Sequence, residues 1–305
     1  MKRFLVTGAN GVFGSALVHK LCTRYGATNI LASDIKNPKK RYPCNFITLD
    51  ALNFQKYERM VRENNINFIV QLANPIFPEN EFIALKQTKN AVTHNTFDIA
   101  HKQKCAIFMP SSMDVFGNAY SQKMAPEDGY RSANSINGIC NAYLELVGEY
   151  YHKKCGLDFR CVRYPLILSP NKLAMYNSIN YFNEMLQKAS AHDNYKCPIE
   201  GNTFLPMISL DDAIEFTLKC INTDIGLVTR SVYNLNGQSM SPNTIMKEIN
   251  AYNPKFSCTC EPDIKNKIAN ELPASLQDTS NRDFDWFCDA GKGIHNIIAN
   301  ALQSK

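Results

Sequence analysis

The residues best placed to do chemistry lie at the start of the chain. Thr7-Gly8-Ala9-Asn10-Gly11-Val12-Phe13-Gly14 follows the apolar run Phe4-Leu5-Val6 and precedes a helix-like stretch. Glycines at this spacing allow a tight turn whose backbone N–H groups can approach a pyrophosphate. A helix beginning there adds the partial positive charge of its N-terminus. Gly8, Asn10, Gly11, Val12, Phe13 and Gly14 are therefore expected to hold a dinucleotide. Asp34 stands 20 residues beyond Gly14, at the end of a second apolar run. A carboxylate there accepts both ribose hydroxyls and repels a 2′-phosphate, so NAD is expected rather than NADP. No Arg stands beside it, although Lys36 is close. Asp50, just past a third apolar run, either accepts from the adenine amino group or simply makes a turn.

The cysteines suggest less. There are 11, an odd number, with no C-x-x-C among them. Cys258 and Cys260 are one residue apart, with no His or third Cys at metal-ligand spacing, so they read as two side chains on one face of a strand and no metal is expected. Without a disulfide framework, a reduced intracellular compartment is the default. The formal net charge of +5 comes from bases interspersed with acids. The run Lys39-Lys40-Arg41 reads as a solvated loop, which argues against a nucleic-acid partner. The apolar run after Met1-Lys2-Arg3 ends at Thr7-Gly8, too short for a signal-peptide core, and no stretch approaches the ~18 apolar residues of a membrane span. A cytoplasmic location and no membrane association are the expectations.

Placing a carboxylate 20 residues from a glycine turn requires a particular scaffold. Short apolar runs at 4–6, 29–32, 46–49, 68–72, 106–109 and 159–164 alternate with helix-like stretches at 11–25, 53–64, 81–103 and 138–154. That alternation predicts an α/β fold of Rossmann type, a doubly wound parallel sheet wrapped by helices. After Pro165 the pattern loosens, with helical pieces near 177–190, 211–221 and 241–250. The expected organisation is a dinucleotide-binding domain over 1–168 and a smaller substrate-cap lobe over 169–305, with a strand near 231–236 returning to the sheet.

The glycine turn, together with Ser111-Ser112-Met113-Asp114-Val115-Phe116-Gly117, resembles the extended short-chain dehydrogenase/reductase family, also described as NAD-dependent epimerases/dehydratases. Further segments are similar to its short-chain L-threonine 3-dehydrogenase branch. They include Ser33-Asp34-Ile35, Phe108-Met109-Pro110, Gly148-Glu149-Tyr150-Tyr151, Arg163-Tyr164-Pro165, Leu205-Pro206-Met207 and Leu272-Pro273-Ala274-Ser275. The resemblance runs nearly end to end. It implies that Ile35, Asp50, Ala51, Leu72, Ala73 and Tyr164 join the cofactor set, that Ser112 and Ser178 line a substrate pocket, and that the chain forms a homodimer through a helix contact.

The same resemblance exposes a departure. The family's acid–base pair is a Tyr followed four residues later by a Lys, whose charge lowers the phenol pKa so that the phenolate can take the alcohol proton. Counting from Gly117, and back from Gly148-Glu149-Tyr150-Tyr151, those positions fall on Asn137 and Asn141, while Ser112 is retained. A carboxamide has no usable proton-transfer pKa. Neither Tyr130 nor Tyr143 has a Lys four residues on. Other family positions also differ, reading Lys89, Val92, Leu166 and Leu272, and Leu173–Ser178 replaces a glycine-rich substrate loop.

Two functional readings follow. One is an NAD-binding, threonine-dehydrogenase-like protein with impaired catalysis, a pseudoenzyme. The other is an active NAD-dependent oxidoreductase or epimerase acting on a different amino-acid or sugar derivative, using a rebuilt site that draws on Lys89, Tyr176 or His192. Against the second, Lys89 reads equally as a solvated helix residue, Tyr176 as a packing residue and His192 as a loop residue.

Overall fold

The computed structural model describes residues 2–74, 82–169, 181–263 and 268–303. A seven-stranded sheet dominates it. Its strands are β1 (Phe4–Thr7), β2 (Ile30–Asp34), β3 (Asn45–Thr48), β4 (Phe68–Gln71), β5 (Ala106–Ser112), β6 (Phe159–Tyr164) and β7 (Val232–Asn234). They lie in the spatial order β7-β6-β5-β4-β1-β2-β3. β1 pairs in parallel with β2 and β4, β2 with β3, and β4 with β5. The chain builds outward from β1 to β3, then returns to place β4 on the other side of β1. That reversal opens a crevice at the carboxyl ends of β1 and β4, where open α/β sheets bind ligands.

Between the strands run helices α1 (Val12–Tyr25), α2 (Phe54–Glu63), α3 (Phe82–Gln103) and α4 (Ile136–Cys155). Strands β1 and β4 are buried on both faces, which explains why they read as apolar runs without alternation. On one face Leu5, Ile69, Ile107 and Phe159 pack with Tyr57, Val61, Phe97 and Leu144 of the helices. On the other, Phe4 meets Phe68 and Tyr25, with ring centroids 5.3 and 4.8 Å apart.

The chain divides into two compact units. The first comprises Met1–Ser111, Ile136–Arg163 and Thr217–Tyr233, and the second Ser112–Ser135, Tyr164–Phe216 and Asn234–Lys305. Their segments interleave, so no single position separates them. Within the second unit, Leu166–Leu168, Leu205–Ser209 and Gln238–Met240 make a three-stranded sheet, and Tyr195–Cys197 pairs in parallel with Cys258–Cys260. Among the described residues no helix is long and apolar enough to cross a membrane.

Candidate functional site

The glycine turn sits at the crevice between β1 and β4. Gly8 leaves β1 with φ +66°, and a Cβ there would lie 2.6 Å from the backbone of Leu72 and Ala73. The loop after β4 thus presses directly on the turn. Thr7 holds it there: its buried hydroxyl donates to Gln71 Oε1 at 2.6 Å and accepts from the N–H groups of Leu72 and Ala73 at 3.2 and 3.3 Å. Gly14 is as constrained, since its Cβ would come within 2.3 Å of the Gly8 carbonyl oxygen. Gly11 differs. A Cβ there would meet only Gly8 O, at 3.3 Å, and would otherwise fill the open side of the turn. Bare backbone therefore faces outward where α1 begins. The first turn of a helix leaves N–H groups without intrahelical acceptors, and α1 has no acidic residue in that turn to compete for them. Val12 is half-buried and Phe13 buried beneath the turn.

Asp34 closes β2 beside this turn. Its Oδ2 accepts from the Asn10 backbone N–H at 3.0 Å and its Oδ1 from Lys36 N–H at 3.4 Å, while Asn10 Nδ2 donates to Lys36 O at 2.7 Å. The carboxylate is thereby aimed by the turn and retains acceptor capacity, because two oxygens offer about four lone-pair directions. Ile35 is exposed next to it. Tyr42 belongs to this shell although nothing in the motif pointed to it. Its buried hydroxyl donates to Ala9 O and lies 3.4 Å from Asn10 Oδ1, which braces the turn from outside. A lone aromatic directly after Lys39-Lys40-Arg41 was the one available signal.

Asp50 is occupied locally. Its Oδ1 accepts from Leu52 N–H at 2.9 Å and its carbonyl from Asn53 N–H at 3.0 Å, a turn that leads into α2. Ala51 is buried and its carbonyl accepts from Asn95 Nδ2 at 2.9 Å. Leu72 and Ala73 remain half-buried at the crevice.

Along α4, Asn137 and Asn141 stand one turn apart. Asn137 Oδ1 accepts from the Lys89 ammonium of α3 at 2.5 Å. Lys89 is half-buried rather than spread on a solvated helix face. Asn141 is buried, as is Cys140, whose thiol is pushed up by burial and drawn back in part by Lys89 and Lys86. One turn further on lies a group that motif reading missed. Glu145 is fully buried and takes a bidentate pair from Arg163, Nε to Oε1 at 2.9 Å and Nη2 to Oε2 at 2.8 Å. Ser111 Oγ donates to the same Oε1 at 2.6 Å. The network joins the end of β5, the middle of α4 and the end of β6. It fixes the rotation of the helix that carries both asparagines. Val92 goes into the core of this unit.

In the second unit, Ser112 is half-buried with extended backbone ahead of the short helical segment Met113–Tyr120, and Tyr164, Leu166 and Leu272 are buried. Ser178 and Tyr176 lie outside the described residues. His192 sits on an exposed turn with φ +58°, its Nδ1 3.4 Å from Asn253 Nδ2, as a loop residue would.

The expectation that Cys258 and Cys260 lack a third cysteine holds only along the sequence. Strand pairing brings in Cys197, opposite Cys260, and the three sulfurs lie within 4.8 Å of one another. A hydrogen bond from Cys197 draws the Cys258 thiol down to about 7, while that bond and burial push Cys197 up.

Comparison with known proteins adds context to this geometry. Residues 4–235 match the family described as NAD dependent epimerase/dehydratase. The chain is 29% identical to mitochondrial L-threonine 3-dehydrogenase of Sus scrofa over 290 residues, covering 93% of this chain and 78% of that one. It superposes on L-threonine dehydrogenase of Phytophthora infestans with a TM-score of 0.91 at 28% identity, covering 99% and 98% of the two chains. A monomeric L-threonine 3-dehydrogenase from a metagenome, in its apo form, is similar at a TM-score of 0.89 and 32% identity, with 99% of each chain covered.

Proposed function

Because the chain belongs to the NAD dependent epimerase/dehydratase family, we propose that it is a threonine-dehydrogenase-like protein that binds NAD and is impaired in proton transfer. The observation that carries this reading is an intact glycine turn in the same unit as two carboxamides at the acid–base positions. The turn's open backbone at Gly11 and the carboxylate of Asp34 fit a dinucleotide. In this reading the open first turn of α1 holds the pyrophosphate, and Asp34, with Ile35 beside it, takes the adenosine ribose. Ala51, Leu72 and Ala73 complete the cofactor surface of this unit, and Asp50 contributes its turn rather than a free carboxylate. When bound, the nicotinamide supplies the hydride acceptor. In this reading the acid–base pair is missing its proton carrier, because neither Asn137 nor Asn141 has a group that can take the proton of an alcohol. Loss of a positioned acid–base group costs about 10²–10⁴-fold in rate.

The test is a thermal-shift and calorimetric titration with NAD and NADP, followed by a turnover assay with threonine. NAD is expected to raise the Tm more than NADP, with no NADH formed. Equal shifts would remove the Asp34 assignment, and robust threonine turnover would remove the impairment. Restoring the pair as Asn137→Tyr with Asn141→Lys is expected to raise NADH formation above the parent protein.

The Lys89–Asn137 contact favours a second reading. A cation on α3 reaches Asn137, the position that the resemblance assigns to the family's Tyr. An ammonium there is suited to hold a carboxylate or phosphate of a substrate. An active oxidoreductase or epimerase on an anionic amino-acid or sugar derivative would then turn over in a substrate panel and lose that turnover in Lys89→Met.

The homodimer is proposed through α3 and α4. Ile139, Leu146 and Tyr150 are exposed along α4, at spacings that put them on one side of a helix. Sedimentation at micromolar concentration checks this, and a purely monomeric profile would remove it.

A further inference from the structure

The cysteines of the second unit carry an inference independent of the dinucleotide site. The sheet formed by Tyr195–Cys197 and Cys258–Cys260 has two strands of three residues each, paired in parallel. A two-stranded ribbon is marginal by itself, and parallel pairing is the weaker kind. This one is closed across 61 residues (258 minus 197), so its pairing must overcome a substantial loop entropy. Its borders are tied. Tyr195 N–H donates to Ser257 O at 3.0 Å and Glu261 N–H to Cys197 O at 2.8 Å. Tyr195 Oη donates to Glu184 at 2.6 Å, and Lys196 pairs with Glu261 at 2.9 Å. One face carries three sulfurs, with Tyr195 opposite Cys258. Cys258 and Cys260 point to the same side by the two-residue period of a strand, and Cys197 faces Cys260 in register.

We infer that Cys197, Cys258 and Cys260 form a thiolate site for a soft d10 cation of the Zn²⁺ class, which clamps the two strands together. Tetrahedral Zn²⁺ with Zn–S bonds of about 2.3 Å sets sulfurs roughly 3.8 Å apart. Three sulfurs already within 4.8 Å reach that spacing by small side-chain rotations. Sulfur donors select soft ions over Mg²⁺ or Ca²⁺, and a filled d shell imposes no geometry against the strands. Cys197 is fully buried and supplies the floor, while Cys258 and Cys260 are half-buried, leaving the fourth position to solvent. A further polar group lies close behind. The Tyr181 hydroxyl is buried without a hydrogen-bond partner among the described residues, on the helix Tyr181–Ser190 that packs against Tyr195–Cys197. Binding is coupled to folding, because the ligand strands are brought together only in the folded chain.

The experiment uses the full-length chain, reduced and handled without oxygen. It is titrated with Zn²⁺ against a chromophoric chelator and, separately, with Co²⁺ as a spectroscopic probe. One Zn²⁺ per chain is expected, with thiolate-to-cobalt charge-transfer absorption and a Zn²⁺-dependent rise in Tm. Cys258→Ser and Cys260→Ser should each weaken Zn²⁺ binding by roughly tenfold or more. Cys155→Ser, at an exposed cysteine on α4, should not. The half-buried pair carries the test because replacing the buried Cys197 risks the fold. Failure to retain the ion, absence of the charge-transfer band, or equal binding by the Cys258 and Cys260 variants would overturn the site. So would a disulfide that forms readily among these thiols while the reduced chain ignores Zn²⁺. NAD titrations of the same variants are expected to match the parent.

Discussion

The glycine turn and the asparagine-bearing stretch of α4 lie in the same compact unit but are specified differently. The turn is over-determined by backbone: Gly8 and Gly14 have no room for a Cβ, and Thr7 pins the loop after β4 against them. The atoms it turns to the crevice are main chain, so a changed side chain on α4 leaves it intact. The α4 position is set by side chains alone. Its rotation comes from the Ser111–Glu145–Arg163 network, and its chemistry from whatever residues 137 and 141 happen to be. On the proposed function, two substitutions on α4 would remove the proton carrier and leave the glycine turn unchanged. A family resemblance strong enough to identify the scaffold does not by itself carry the activity.

Variants of the Glu145–Arg163 pair, of Gly8 and of Lys89 test that contrast, from the largest expected effect to the smallest. Glu145→Ala leaves the Arg163 guanidinium buried without its carboxylate, and breaking such a pair costs about 3–5 kcal/mol. Urea unfolding should show that loss, with Arg163→Ala similar and Glu145→Gln milder. A value below about 1 kcal/mol would mean that the network does not hold α4. Gly8→Ala forces a left-handed backbone on a residue with a Cβ, worth roughly 1–3 kcal/mol, and drives that Cβ into Leu72 and Ala73. A lower Tm together with loss of NAD binding is expected. Retention of both would show that the turn tolerates side chains and that its packing was misjudged. Lys89→Met should leave NAD affinity within about twofold and change stability by about 1 kcal/mol or less, the net worth of a hydrogen bond such as the one to Asn137. A large fall in NAD affinity would place the cation on the cofactor and dissolve the distinction between the two regions.

The sulfur cluster sharpens the same lesson from the second unit. Cys258 and Cys260 share a strand face, as their spacing suggests, yet spacing carries no trace of Cys197, which joins through a pairing between strands far apart in the chain. Lys89 is similar. A lysine on a helix reads as solvated until a neighbouring helix brings Asn137 to its ammonium.

Local signals accounted for much of this protein. The strand–turn–helix at 4–25, the carboxylate closing β2 and the alternation that makes a parallel sheet are all written in short windows, because backbone sterics and hydrophobic period act over a few residues. The assignment of Asn137 and Asn141 to the acid–base positions rests on the resemblance alone. Only the tertiary structure decided that Tyr42 braces the turn, that Glu145 and Arg163 neutralise each other under α4, and that a third cysteine meets the other two. Each of these joins residues from distant segments, and a buried charge or thiol finds its partner through chain topology, which no window of the sequence contains.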